Sequence, residues 1–184
     1  MALEKARQFL DGYFPTGMIW IGGVGTGKSH LAAGIIREWI ETKGKSALYT
    51  TASNAIEMAK STFNGNREWS SNQVDSKFLT PSLLVIDEVG IGYQTEFEYL
   101  TLSKICLRRF DQCRATILIS NLVLNELAKL VGERVIDRFR EDGDLFPFNW
   151  ASWRGRPMIE EEGENDYAER TEVESTDCEL ATCQ

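Results

Sequence analysis

Apolar residues along this chain fall into short unbroken runs separated by longer stretches with helix-like patterning. That alternation predicts an α/β fold built on a parallel sheet. The runs at 18–21, 47–51, 82–86 and 115–119 read as strands, with a weaker one at 145–149. None shows the in-out alternation of a half-exposed strand, so burial on both faces is expected. Helices are predicted between them at 28–41, 53–63, 95–111, 124–130 and 133–141, and a short amphipathic helix over 3–10 precedes the first strand. Residues 64–75, NGNREWSSNQVD, are polar and lack a period, so they read as an exposed loop. Five parallel strands flanked by helices are the expected architecture.

Chemistry enters where the first strand meets the first long helix. The residues there are Gly22, Gly23, Val24, Gly25, Thr26, Gly27, Lys28, Ser29 and His30, and they satisfy the phosphate-cradle pattern G-x-x-x-x-G-K-[ST]. Glycines let successive backbone N–H groups converge on phosphate oxygens, and the helix adds its positive N-terminal end. Lys28 is then expected to reach the β- and γ-phosphates of ATP, and the Ser29 hydroxyl to ligate Mg²⁺. The third strand ends in SLLVIDE, which places Asp87 and Glu88 at the carboxyl end of a buried strand, where ligands bind in such sheets. Asp87 suits the residue that holds Mg²⁺ through water, and Glu88 suits a base for attacking water. The fourth strand ends at Asn121, whose amide either orients that water or serves as a turn or cap residue.

Composition changes this picture in one respect. The net charge of −8 speaks against nucleic acid, yet residues 160–184 hold ten of the acidic residues and one basic residue. Removing them leaves 18 acidic and 19 basic residues in 1–159, so DNA binding is not excluded. Two parts are expected: a folded ATPase domain over 1–159 and an acidic, disordered tail over 160–184 that solubilises the chain or binds a partner. The four cysteines lack metal-ligand spacing, and Cys106 and Cys113 are expected to share one helix face. No apolar run is long enough for a bilayer, so the expected location is the cytoplasm, away from membranes.

The phosphate loop, the Asp-Glu strand end and the polar residue after the next strand, in that order, resemble an AAA+ ATPase. The segments ALEKARQFL, GTGKSHLAA, GKSALYTTASNAIEMAKSTF, LLVIDEVG and LVGERVIDRFREDGDLFPFNWASWRGRP narrow the resemblance to the DnaC-type helicase loaders, a group related to the DnaI loaders and the IstB transposition helpers. The resemblance implies an AAA+ P-loop fold with a reduced or absent helical lid. It also implies Arg138 as an arginine finger acting on a neighbouring subunit, with Arg134 as the alternative, and Arg154 as a γ-phosphate sensor in the same subunit. Lys60, Phe63 and Tyr99 match positions that face single-stranded DNA. The implied partners are the replicative helicase, single-stranded DNA, and further copies of the chain or another loader. Loaders of this type carry a separate N-terminal domain that grips the helicase, whereas here Met1 stands 21 residues before Gly22. The helicase contact is therefore expected to come from elsewhere. Interference with a resident loader by co-assembly, or an IstB-like role on duplex DNA, are the competing implications.

Overall fold

Strand-forming residues collect into one sheet in the computed structural model of the protein, which describes residues 1–63, 69–92 and 95–154. The expected acidic tail, the boundary at 159 and any lid lie outside the described residues. Among those described, α1 (Ala2–Leu10) leads into β1 (Gly17–Gly22), α2 (Lys28–Glu41), β2 (Ala47–Thr51) and α3 (Ala52–Ser61). The chain continues through α4 (Ser71–Leu79), β3 (Leu83–Val89), α5 (Glu96–Asp111) and β4 (Ala115–Ser120), then α6 (Leu124–Val131), α7 (Glu133–Asp142) and β5 (Asp144–Phe148). Every pairing is parallel, and the strand order is β2-β3-β4-β1-β5. This is the doubly wound arrangement of AAA+ P-loop ATPases, in which all strands deliver their carboxyl ends to one edge.

The apolar runs explain the layering. Alternate residues of β1, β3 and β4 point to opposite sides: Ile19, Leu84, Ile86 and Leu118 pack with α3, α5, α6 and α7 residues, while Met18, Leu83, Val85 and Ile117 pack with α1 and α2 residues. Central strands β3 and β4 are buried almost throughout. The expectation of two-sided burial fails for β2, where only Thr50 is buried, because β2 lies at the sheet edge and one side meets solvent. Arg109 on α5 is fully buried and donates to Thr116 Oγ1 (2.9 Å) and to the carbonyls of Phe78 (2.8 Å), Pro81 (2.9 Å) and Ala115 (2.6 Å). Burial pushes its pKa down to about 10. Those bonds tie α4, α5 and β4 together without a carboxylate partner.

Two sequence expectations need correction. Residues 64–75 are not wholly a loop, since α4 begins at Ser71. Its start is set by a capping box in which the Ser70 hydroxyl accepts the Gln73 N–H and the Gln73 side chain accepts the Ser70 N–H. Val74, Phe78 and Leu79 then bury the helix, and Asp75 pairs with Lys104 and Arg108 of α5. Cys106 and Cys113 also do not share a helix face. The first is buried on α5, whereas the second lies in the turn beyond Asp111, exposed and with φ of 52°. Among the described residues no helix is long and apolar enough to cross a membrane.

Candidate functional site

The loop between β1 and α2 is closed on itself by the group expected to leave it. Lys28 is buried, and its ammonium donates to the carbonyls of Gly22 (2.6 Å) and Gly23 (2.7 Å), with Thr26 Oγ1 at 3.3 Å. Burial pushes the Lys28 pKa down from its usual value, and the nearby Asp87 carboxylate opposes that shift. Gly27 caps α2 in the left-handed region at φ of 92°, a conformation that suits glycine. Val24, Ser29 and His30 are exposed at the loop and the first turn of the helix, in reach of a ligand. Carbonyl oxygens here stand where phosphate oxygens would compete for the same ammonium, so the loop fits a polyphosphate.

A second segment covers the loop from far along the chain. After β5, the Trp150 indole N–H donates to the Thr26 carbonyl at 3.0 Å, and the Trp153 backbone N–H donates to the Gly25 carbonyl at 2.9 Å. Trp150 is held in turn against Phe148, with ring centroids 4.8 Å apart. A Cβ on Gly25, where φ is 79°, would lie 2.1 Å from Ser152 Oγ and 3.2 Å from Arg154 Cγ. Glycine is thus required there by close approach as well as by φ. Arg154 is exposed and its stem lies against the loop, the neighbourhood expected of a phosphate sensor. In the sequence only Arg154 pointed to this neighbourhood, through resemblance, and the Trp150 and Trp153 contacts with the loop had no signal there.

Across the sheet edge, β3 carries Asp87 buried and Glu88 exposed. Glu88 has φ of 58° at a register shift between Ile86 and Val89, an uncommon conformation for a residue with a side chain. Its N–H donates to Asp87 Oδ1 at 2.7 Å. Asp87 Oδ2 accepts the Tyr49 phenol O–H from the neighbouring strand β2. Burial, aided by that bond and the Asp87 charge, pushes the phenol up to about 12. The Ser29 hydroxyl and the Asp87 carboxylate are oxygen donors, the chemistry that a Mg²⁺ site uses. Tyr49 sits in the middle of β2, and a run read only for burial gives no weight to the hydroxyl at the tip of its side chain. Asn121 follows β4 at the same sheet edge and is exposed, whereas the buried residue is Ser120, whose hydroxyl donates to the Val89 carbonyl at 2.6 Å.

The remaining candidates sit elsewhere on the domain. On α7, Arg138 lies over the Phe110 ring at 4.4 Å and pairs with Glu141 at 2.9 Å, while Arg134 is exposed without a partner among the described residues. At the end of α3, Lys60 pairs with Glu98 of α5 at 3.7 Å and lies 5.9 Å from the Phe97 ring centroid. Phe63 packs edge-on against that same ring and is 77% exposed. Tyr99 does not join them. Two positions after Phe97 on α5 it points to another face, and its hydroxyl would sit 3.1 Å from a Cβ placed on Gly132 at the α6–α7 junction. A cavity of about 340 Å³ between α3, α4 and α5, lined by Phe63, Phe97 and Leu100, shares no residue with the P-loop.

Comparison with known proteins agrees with this geometry. Residues 15–156 match the family model described as "IstB-like ATP binding protein". The "Replicative helicase loader DnaC" of Escherichia coli (strain K12) is 39% identical over 159 residues, covering 84% of this chain and 64% of that protein. This chain therefore matches somewhat less than two thirds of that relative's length. A crystal structure of the DnaC helicase loader superposes with a TM-score of 0.69 at 24% identity, covering 79% of this chain and 87% of that one. The replication initiator DnaA bound to AMPPCP and single-stranded DNA superposes with a TM-score of 0.66 at 24% identity, over 82% of this chain and 46% of the other. These structural likenesses support the fold. Taken with the P-loop, the Asp-Glu strand end and the parallel sheet that joins them, the family match shows that the chain belongs to the IstB-like ATP-binding proteins of the AAA+ class.

Proposed function

We propose that this chain is the ATPase core of a DnaC-like replication protein, which uses ATP to assemble on single-stranded DNA and helps load or remodel the replicative helicase in the cytoplasm. The observation that carries the reading is the meeting of Lys28, Ser29, Asp87 and Glu88 at one sheet edge, in a chain 39% identical to DnaC over most of its length. In this reading Lys28 exchanges the Gly22 and Gly23 carbonyls for phosphate oxygens. A Mg²⁺ ion held by Ser29 and, through water, by Asp87 would neutralise charge on the β- and γ-phosphates. Glu88 takes the proton of attacking water, and Asn121 orients that water. An α7 arginine, Arg138 by resemblance or Arg134 by its freedom, stabilises the transferring phosphoryl group of the neighbouring subunit. Arg154 reports on the γ-phosphate from its place beside the loop. Lys60 and Phe63 offer a phosphate contact and a stacking ring to DNA. Tyr99 is a further DNA contact by resemblance, at a separate place beside Gly132.

The test is ATP turnover measured across protein concentration, with single-stranded DNA, duplex DNA or neither. A rate per subunit that rises with concentration and with single strands supports the proposal. Stimulation by duplex alone favours an IstB-like transposition helper. A chain that binds ATP but stays monomeric and idle favours a partner-docking module that interferes with a resident loader.

A further inference from the structure

Both oxygens of Asp87 are already engaged, and one of the engaging groups has no part in the reading above. Oδ1 accepts the Glu88 backbone N–H at 2.7 Å, and Oδ2 accepts the Tyr49 phenol. Tyr49 reaches this carboxylate from β2, where the register pairs Thr51 with Asp87. The residue remains 42% exposed, so its ring contributes little to either core cluster. The Ser29 hydroxyl faces the same phenol from the first turn of α2. A single side chain that the core does not need therefore holds one of the two oxygen donors assigned to the cation and interacts with the other.

We propose that Tyr49 is a positioning residue for the divalent cation that accompanies ATP, its O–H fixing the Asp87 carboxylate in the orientation that the hydrated cation meets. The inference rests on the assignment of Ser29 and Asp87 to the metal. A carboxylate oxygen has two acceptor sites, so Oδ2 holds the phenol and still accepts from a metal-bound water. The phenol is a neutral donor. It orients the carboxylate without cancelling its charge, as an ammonium in that place would do. Hydrogen-bond partners behind metal-binding groups commonly change metal affinity about 10- to 100-fold.

The experiment measures binding of a fluorescent ATP analogue to the whole chain in EDTA and across a Mg²⁺ titration, for the parent chain, Tyr49→Phe and Tyr49→Leu. Thermal unfolding without nucleotide checks that each variant is folded. The expected result is equal affinity in EDTA for all three, with the Mg²⁺ midpoint raised roughly 10-fold in both variants. A Phe variant with an unchanged midpoint overturns the inference and leaves the nucleotide site standing. A lowered midpoint also overturns it, since the phenol would then be competing with the cation. If the parent chain binds no nucleotide under either condition, the inference and the reading beneath it fall together.

Discussion

At the P-loop edge of the sheet, Lys28 is folded into the carbonyls of its own loop at 2.6 and 2.7 Å, whereas on α7 Arg138 rests on Phe110 and Glu141 and Arg134 has no partner among the described residues. The first cation is buried, and its two short hydrogen bonds go to main-chain carbonyls within six residues. The second lies at a partly exposed surface, in an i, i+3 ion pair of the kind that contributes about 0–1 kcal/mol. One region holds its cation with atoms of a single segment, which the chain after β5 then covers. The other presents a partly exposed charge, which the proposed function assigns to the site of a neighbouring subunit. Under the proposed function, such a division would suit an ATPase whose turnover waits for a neighbouring subunit.

Removing Lys28 tests the completed region and should have the largest effect. Lys28→Ala deletes the charge facing the phosphates and frees the Gly22 and Gly23 carbonyls at once. Nucleotide binding should fall below detection in a fluorescent-analogue titration, while the α7 variants still bind. Retained affinity in Lys28→Ala would break the comparison, because the loop's backbone alone would then hold the ligand.

The α7 arginines test the unfinished region. Arg138→Ala should bind ATP almost normally yet lose turnover by roughly 10³- to 10⁵-fold, the range seen when an arginine finger is supplied or withheld. Mixing it with Glu88→Gln protein should restore some activity, because interfaces that combine an intact Glu88 with an intact finger re-form. Steady-state turnover of the two proteins apart and mixed reads this directly. If Arg134→Ala shows the larger loss instead, the unpaired arginine is the finger, and the Phe110 contact of Arg138 is structural.

How legible each region was follows from the same contrast. The P-loop could be read because its function lies in consecutive residues whose φ requirements select glycine, and β3 and β4 could be read because burial on two faces leaves Thr116 as the one polar residue inside their apolar runs. Strand β2 kept the predicted bounds but not the predicted burial, since position in the sheet is set by pairing and not by its own residues. Helix α4 was missed although Ser70 and Gln73 form a capping box, because only three apolar residues, Val74, Phe78 and Leu79, follow within it. Tyr49 and Trp150 escaped for a different reason: each acts across the fold, on Asp87 and Thr26 respectively, and such pairings exist only once the sheet has assembled. Lys60 and Phe63 both meet the ring of Phe97, which comes from α5 and which their spacing on α3 could not announce.

Trp150 offers the finest test, because it joins the finished loop to a segment 124 residues away. Trp150→Phe keeps an aromatic ring against Phe146 and Phe148, whose centroids lie 6.3 and 4.8 Å from it, and removes only the donor to the Thr26 carbonyl. A hydrogen bond of this kind is worth about 1 kcal/mol net, or roughly fivefold in an equilibrium. If the indole helps keep the P-loop ordered, ATP affinity should weaken by up to about that factor, since ligand binding must then order the loop itself. The Trp153 N–H to Gly25 bond remains in the variant and limits the loss. Unchanged affinity with lowered thermal stability would mean that the segment only covers the loop. The P-loop would then be complete from residues 22–29 alone, and the contrast with α7 would be sharper still.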